Sequence, residues 1–286
     1  MSKYILSAFS DEYDDDLETQ CKALKTFGIQ YTEIRHFNGK NVLDLTFAEA
    51  TEAKKVLNTY GIKVSSIGSP IGKIKINADL TKHLDELEHV LKLADIFETE
   101  NIRVFSFYSN GVDCITNSKE EILDWFEKAI RLSQKYGVTL CHENEALIYG
   151  ESPDKCLELV SAFHGKMKCV FDMGNFVLDG YDSLDAYELL KEHIEYFHVK
   201  DALSVGAIVP AGKGEAKIKE ILFKHKNAKK TDVFVTLEPH LQTFAGLNAL
   251  VGKTFDNPYK YENQREAFTD AVQNLKEILD VVNGDL

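Results

Sequence analysis

The chain has 286 residues, 44% of them hydrophobic, and 33 lysines and arginines against 46 aspartates and glutamates leave a net charge of −13. That length fits two ordinary domains or one α/β barrel, and the charge opposes a phosphate backbone or an anionic bilayer, so neither nucleic acid nor membrane is expected as a partner. Cys21, Cys114, Cys141, Cys156 and Cys169 are odd in number and lack close pairing, so they read as small hydrophobes of a reducing compartment. With no secretory signal ahead of Asp14-Asp15-Asp16 and no run long enough to span a bilayer, a soluble cytoplasmic protein is expected.

Short β-rich runs then alternate with amphipathic helical stretches along the whole chain. Tyr4 to Phe9 reads as a strand, followed by a helix with Leu17, Cys21, Leu24 and Phe27 on one face before Gly28. Tyr31 to Arg35 is the second strand, and its helix opens at the capping box Thr46-x-x-Glu49 and closes near Gly61. Lys63 to Gly68 leads through a Ser69-Pro70 turn to a helix bearing Leu84, Leu87, Leu91, Ala94 and Phe97. The fourth strand, Ile102 to Tyr108, precedes a helix expected to start at a second capping box, Ser118-x-x-Glu121. Val138 to Glu143 is next, with Ser152-Pro153 capping a helix that carries Cys156, Leu159, Val160 and Phe163. Met167 to Asp172 is followed by a helix opened by Asp182 or Ser183. Ile194 to Lys200 is followed, after Gly212-Lys213-Gly214, by a helix with Ile218, Ile221 and Leu222. Val233 to Glu238 is the eighth strand, and Phe268, Val272, Leu275, Ile278 and Leu279 mark the last helix.

Strict alternation makes the strands parallel, because each crossover returns the chain to the same end of the sheet. Eight such units predict an α/β fold, a single (β/α)8 TIM barrel over residues 1–286. An open dinucleotide-binding sheet would want a glycine fingerprint after an early strand, which Ala8-Phe9-Ser10-Asp11 does not supply. The long segment 241–263 after the eighth strand suggests a lid or a contact between copies in a homo-oligomer.

In such a barrel the strand C-termini share one mouth. Strands five to eight end in Glu143, Asp172, His198 and Glu238, and His198 and Lys200 share a strand face. Three carboxylates converging there would force protonation at a cost of about several kcal/mol, and a divalent cation resolves that conflict. One imidazole with three carboxylates is mainly a hard oxygen set, which puts Mn²⁺ first, with Mg²⁺, Co²⁺ and Zn²⁺ also admissible. Cys141 faces the same side one layer lower and is given to packing. Taken singly, each acid is more often a helix cap or a solvated group; four in succession carry the reading.

The pieces Leu140-Cys141-His142-Glu143-Asn144, Phe171-Asp172-Met173-Gly174-Asn175, Phe197-His198-Val199-Lys200-Asp201, Gly212-Lys213-Gly214-Glu215 and Leu237-Glu238-Pro239 resemble those of the sugar isomerase/epimerase-like TIM barrels related to xylose isomerase. That family includes ketohexose 3-epimerases, hydroxypyruvate isomerase and inosose dehydratase. The likeness lies in the C-terminal half, while the first four strands match only in general plan. It implies one divalent metal ion held by Glu143, Asp172, His198 and Glu238, with Glu143 and Glu238 also the acid/base pair. The chain departs from it at Asn175, where several epimerases carry a substrate-contacting histidine, and at Tyr108-Ser109, where some relatives place one. Tyr108, Asn175, Lys200 and Glu145 are the candidate contacts to a small sugar substrate.

The chemistry expected is isomerisation or epimerisation of a sugar-like hydroxy ketone through a metal-stabilised enediolate, with the two glutamates moving a proton. Loss of a β-hydroxyl on the same site gives an inosose-type dehydratase instead. An apurinic endonuclease would require more histidines at strand ends and a basic face, whereas strands two to four end in Arg35, Gly68 and Tyr108. A non-catalytic sugar-binding barrel is the fourth alternative. Arg35, His36 and Lys73 are read as rim charge balancing the acids, Asp11-Glu12 as the start of a helix, and the run from Lys224 to Lys230 as a solvated helix end.

Overall fold

The computed structural model describes residues 3–111, 114–229, 231–242 and 259–284. Eight parallel strands form its inner layer: β1 (Tyr4–Ala8), β2 (Tyr31–Ile34), β3 (Lys63–Ile67), β4 (Asn101–Val104), β5 (Thr139–Glu143), β6 (Met167–Asp172), β7 (Ile194–Val199) and β8 (Val233–Leu237). Hydrogen-bonded neighbours run in the order β1-β8-β7-β6-β5-β4-β3-β2. At the seam between β1 and β2 the described residues form no backbone ladder; Thr32 Oγ1 crosses it, donating to the Ala8 carbonyl at 3.0 Å. The result is a nearly closed TIM barrel. The strands are mostly buried, with one face on the barrel interior and one under helices.

The outer layer is α1 (Leu17–Thr26), α2 (Phe47–Tyr60), α3 (Leu80–Phe97), α4 (Lys119–Gln134), α5 (Pro153–Ser161), α6 (Met173–Leu178), α7 (Ser183–Leu190), α8 (Ile218–Ala228) and α9 (Gln264–Asn283). Most starts follow from local chemistry. Thr46 and Glu49 exchange hydrogen bonds in a complete capping box, Ser152 accepts from the Lys155 amide with Pro153 behind it, and Asp182 accepts from the amides of Leu184 and Asp185. Ser118 does not cap α4 with its side chain: it ends a 3-10 turn, Ile115–Ser118, at φ −96° and ψ 15°, away from the extended conformation a cap needs. Asp11 and Glu12 do lie in a helical turn, a 3-10 segment over Ser10–Glu12, but they do not open α1, whose N-cap is Asp16, and both acids are buried.

Two further differences matter for the site. The fourth strand stops at Val104, beyond which Phe105, Phe107 and Tyr108 donate backbone hydrogen bonds to Ile71, Gly72 and Ile74. A short helix, α6, follows β6 directly. Among the cysteines, Cys21, Cys141, Cys156 and Cys169 are buried and Cys114 is exposed. His225, within the basic run read as solvated, is also buried, packed edge-on against Phe197 at 4.9 Å. Of the segment 241–263, residues 243–258 lie outside the described residues, and with them the expectation of a lid or subunit contact. No helix among the described residues is long and apolar enough to cross a membrane.

Candidate metal centre

Parallel register brings the strand ends level: Asp172 on β6 is opposite His198 on β7, and His198 is opposite Thr236 on β8, two residues before Glu238. Ligand atoms of Glu143, Asp172, His198 and Glu238 consequently lie within 4.8 Å of one another, and all four residues are buried. His198 Nδ1 faces this group, 2.7 Å from Glu143 Oε1 and 3.3 Å from Glu238 Oε2. Asp172 also caps α6, accepting from the Asn175 amide at 2.8 Å.

The donor set fits a divalent cation. Glu143 Oε2 and Glu238 Oε2 are buried without a hydrogen-bond donor among the described residues, although Arg103 Nη1 lies 3.1 Å from the first and Lys200 Nζ 3.5 Å from the second. Buried acceptors of this kind are uncommon unless another group completes them. Three carboxylates and one imidazole nitrogen suit a hard or borderline cation, and the buried cysteines are not members of the cluster.

The chain's own cations already offset much of this negative charge, which sequence reasoning did not foresee. Arg35 donates to Glu238 Oε1 at 2.8 Å and to both Asp11 oxygens, at 2.9 and 3.2 Å. Arg103 lies between Glu143 and Glu238, 3.8 Å from the latter, with its guanidinium over the rings of Phe9 and Phe105. Lys200 meets Asp172 Oδ2 at 3.1 Å and Asn175 Oδ1 at 2.9 Å. Burial works to discharge Glu238, but Lys200, His240 and His198 prevail and hold it well below the usual carboxylate range. Burial dominates at Asp172, pushing it up to about 7 against the pull of Lys200, and at Glu12, which rises to about 8 beside Arg35. Burial also opposes charge on His198, where Glu33 and Glu143 reverse the balance and raise the ring well above its ordinary value.

The remaining candidates cluster around this centre. Lys200 does not pair with Asp201, whose carboxylate instead accepts from the amides of Gly212, Gly214 and Ala216. A Cβ on Gly214 would fall 2.6 Å from the Ala202 carbonyl, which is why the Gly-Lys-Gly turn can wrap that acid. A Cβ on Gly174 would sit 2.7 Å from the Lys200 carbonyl, so glycine there lets α6 lie against the strand end and bring Asn175 to Lys200. Glu145 pairs with Lys73 at 2.8 Å, and burial together with Glu145 raises the Tyr108 hydroxyl to about 12. His36 sits apart, on Asp15 at 3.0 Å.

His240, whose Nε2 lies 3.4 Å from both Glu12 Oε1 and Glu238 Oε1, was missed, as were two residues inside strands. Glu33 accepts from His198 Nε2 and from the Tyr196 hydroxyl, and Arg103 bridges the glutamates. Each is a lone charge inside an otherwise buried strand, a placement seldom tolerated unless paired, and that was the available signal.

Residues 21–249 match the family model described as xylose isomerase-like TIM barrel. A 3-dehydroshikimate dehydratase of Bacillus anthracis is 22% identical over 221 residues, covering 70% of this chain and 78% of that protein. Among solved structures, D-psicose 3-epimerase with D-tagatose from Clostridium cellulolyticum H10 superposes with a TM-score of 0.73 at 15% identity, covering 97% of this chain and 99% of the other. A xylose isomerase-like TIM barrel protein from Mycobacterium smegmatis in complex with magnesium gives 0.72 at 13% identity, covering 99% and 97%. At such identities the superpositions speak to the fold.

Proposed function

This chain belongs to the xylose isomerase-like TIM barrel family, and on that footing we propose that it is a divalent-metal-dependent enzyme removing a proton beside the carbonyl of a small polyhydroxylated ketone. The observation that carries this reading is the meeting of Glu143, Asp172, His198 and Glu238 within 4.8 Å, with one oxygen of each glutamate lacking a hydrogen bond. These four would hold the cation, Mn²⁺ first by donor type, as in the sequence expectation. Once bound, it would supply Lewis acidity toward the carbonyl oxygen and so acidify the neighbouring carbon.

The chain's residues supply the rest. Glu238 is kept ionised by Lys200, the adjacent histidines and Arg35, and so rests in the form that accepts a proton. Glu143 approaches the same centre from β5, and a pair of acids on two sides can take a proton from one face of a carbon and return one to the other. Lys200, steered by Asn175, presents an ammonium group to a substrate oxygen. Glu145 and Tyr108 border the same mouth and are assigned substrate contact. Epimerisation or isomerisation of a sugar follows from proton return, and dehydration from loss of a β-hydroxyl.

Dehydration has support of its own. The family relative named 3-dehydroshikimate dehydratase aligns with this chain over 221 residues. Incubation with ketohexoses, hydroxypyruvate, inososes and 3-dehydroshikimate in deuterated water with Mn²⁺ decides between them. Chelator-sensitive deuterium incorporation with retained hydroxyls marks the isomerase or epimerase, and chelator-sensitive loss of water marks the dehydratase. Chelator-insensitive exchange, or tight sugar binding with no exchange on any ketone, would overturn the proposal.

A further inference from the structure

Glu33 poses a question that the proposed chemistry leaves open. It lies on β2, three strands from β7 around the barrel, is 1% exposed, and is not one of the four clustered ligands. The pairing of β2 with β3 slips between Thr32 and Glu33, an irregularity of the kind that re-aims a side chain. Both of its oxygens are used. Oε1 accepts from the Tyr196 hydroxyl at 3.0 Å, and that hydroxyl also meets Ser66 Oγ at 2.9 Å. Oε2 meets His198 Nε2 at 2.8 Å. Tyr196 and His198 alternate along β7 and therefore share its interior face.

The two ring nitrogens of His198 thus face different surroundings: Nδ1 looks at Glu143 and Glu238, and Nε2 looks at Glu33 alone. A neutral imidazole carries one N–H and one lone pair, and an ionised carboxylate only accepts. Glu33 therefore requires the hydrogen on Nε2, so the proton that a cation displaces from the ring is the one on Nδ1, and the Nδ1 lone pair becomes the ligand. Without that acceptor the single hydrogen is free to settle on Nδ1, where Glu143 would accept it and the ligand position would be closed. Edge contacts from Phe9 at 5.1 Å and Tyr196 at 5.5 Å restrict the ring's tilt, so the choice of tautomer is the freedom that remains.

We propose that Glu33 is a positioning residue for the cation site, holding His198 in the Nε2–H tautomer and, through Tyr196 and Ser66, tying that ring to the barrel wall. The inference rests on the reading of the cluster as a divalent cation site. Its test is the Mn²⁺ affinity of substrate-free protein, measured by calorimetry for wild type, Glu33→Gln and Tyr196→Phe. Loss of a carboxylate partner behind a ligating histidine typically weakens metal binding by about 10–100-fold, which is the loss expected for Glu33→Gln. Tyr196→Phe keeps the Glu33–His198 bond and should lose much less. The second measurement is the ring ¹⁵N spectrum of wild type loaded with Zn²⁺, identified by comparison with His198→Gln; it should show the proton on Nε2 and needs no folded Glu33 variant.

Mn²⁺ affinity in Glu33→Gln within about twofold of wild type, well outside the range for such partners, would overturn the inference and leave the proposed function standing. A proton on Nδ1 in the loaded wild type would do the same. Wild-type protein that takes up neither Mn²⁺ nor Zn²⁺ would remove both.

Discussion

The two halves of the barrel contribute opposite things to one mouth. Glu143, Asp172, His198 and Glu238 lie at or just beyond the ends of β5 to β8, while Arg35 just after β2 and Arg103 on β4 face them, with Glu33 reaching across to His198. From sequence, the acids alone demand a cation for charge balance. With both halves in view, two guanidinium groups, Lys200 and a charged His198 already meet much of that demand. What recommends the site for a cation is therefore donor geometry and the incomplete oxygens, more than uncompensated charge. Arg35 and Arg103 from the N-terminal half pair with the glutamates, and the C-terminal half presents those acids together with Lys200.

Replacing one residue from each half separates these roles. Glu238→Gln strikes the presenting half: it removes the proposed base and one ligand oxygen, so deuterium exchange into substrate should fall by about 10²–10⁴-fold. Some Mn²⁺ uptake through Glu143, Asp172 and His198 should survive. Exchange at the wild-type rate would exclude Glu238 as the base. Arg103→Met strikes the compensating half. Both partners are buried, so the metal-free protein should lose about 3–5 kcal/mol in urea unfolding, the usual cost of stranding a buried charge. Because Arg103 and a cation draw on the same Glu143 oxygen, added Mn²⁺ should raise the melting temperature of this variant more than that of wild type. Equal shifts would mean that the two do not compete, and the division between the halves would fail at that point.

The same division explains what was legible in the sequence. Period-two and helical spacing placed all eight strands, and Thr46/Glu49, Ser152 and Asp182 marked helix starts because capping is settled within three residues. The four acidic or imidazole strand ends were readable because each follows an apolar run and they come in succession. Ser118 misled because the preceding 3-10 turn fixes its backbone, and the fourth strand was drawn too long because its last residues pair with the loop after β3. Asp11 and Glu12 were given to a helix because their partner Arg35 is more than a turn or a cap away in sequence. Glu33 and Arg103 depend on closure even more: Glu33 meets His198 across 165 positions of chain. No local pattern carries such a pairing.

The smallest expected effect compares the halves in their helix layer, where two buried histidines are held neutral. His83 on α3 has its ring lowered by burial, with Glu86 opposing, and its Nε2 accepts from the Gly72 amide at 2.8 Å. His225 on α8 is lowered to about 4 by burial and by Lys229, and neither ring nitrogen has a hydrogen-bond partner among the described residues. In the unfolded chain both would take up a proton near pH 6.5, so the unfolded state binds more protons over the window below that value and stability must fall as pH falls. For His225 the loss runs from about 6.5 down through about 4. Urea unfolding of His225→Phe should accordingly show a shallower decline on acidification than wild type, with little change at pH near 8, where both rings are neutral in either state. His83→Phe should flatten the decline too, but at about 1–3 kcal/mol throughout, because the Gly72 amide loses its acceptor. A decline in His225→Phe as steep as in wild type would place the acid sensitivity elsewhere, most directly in His142, whose ring burial lowers to about 3, and in Glu238, held well below the usual carboxylate range.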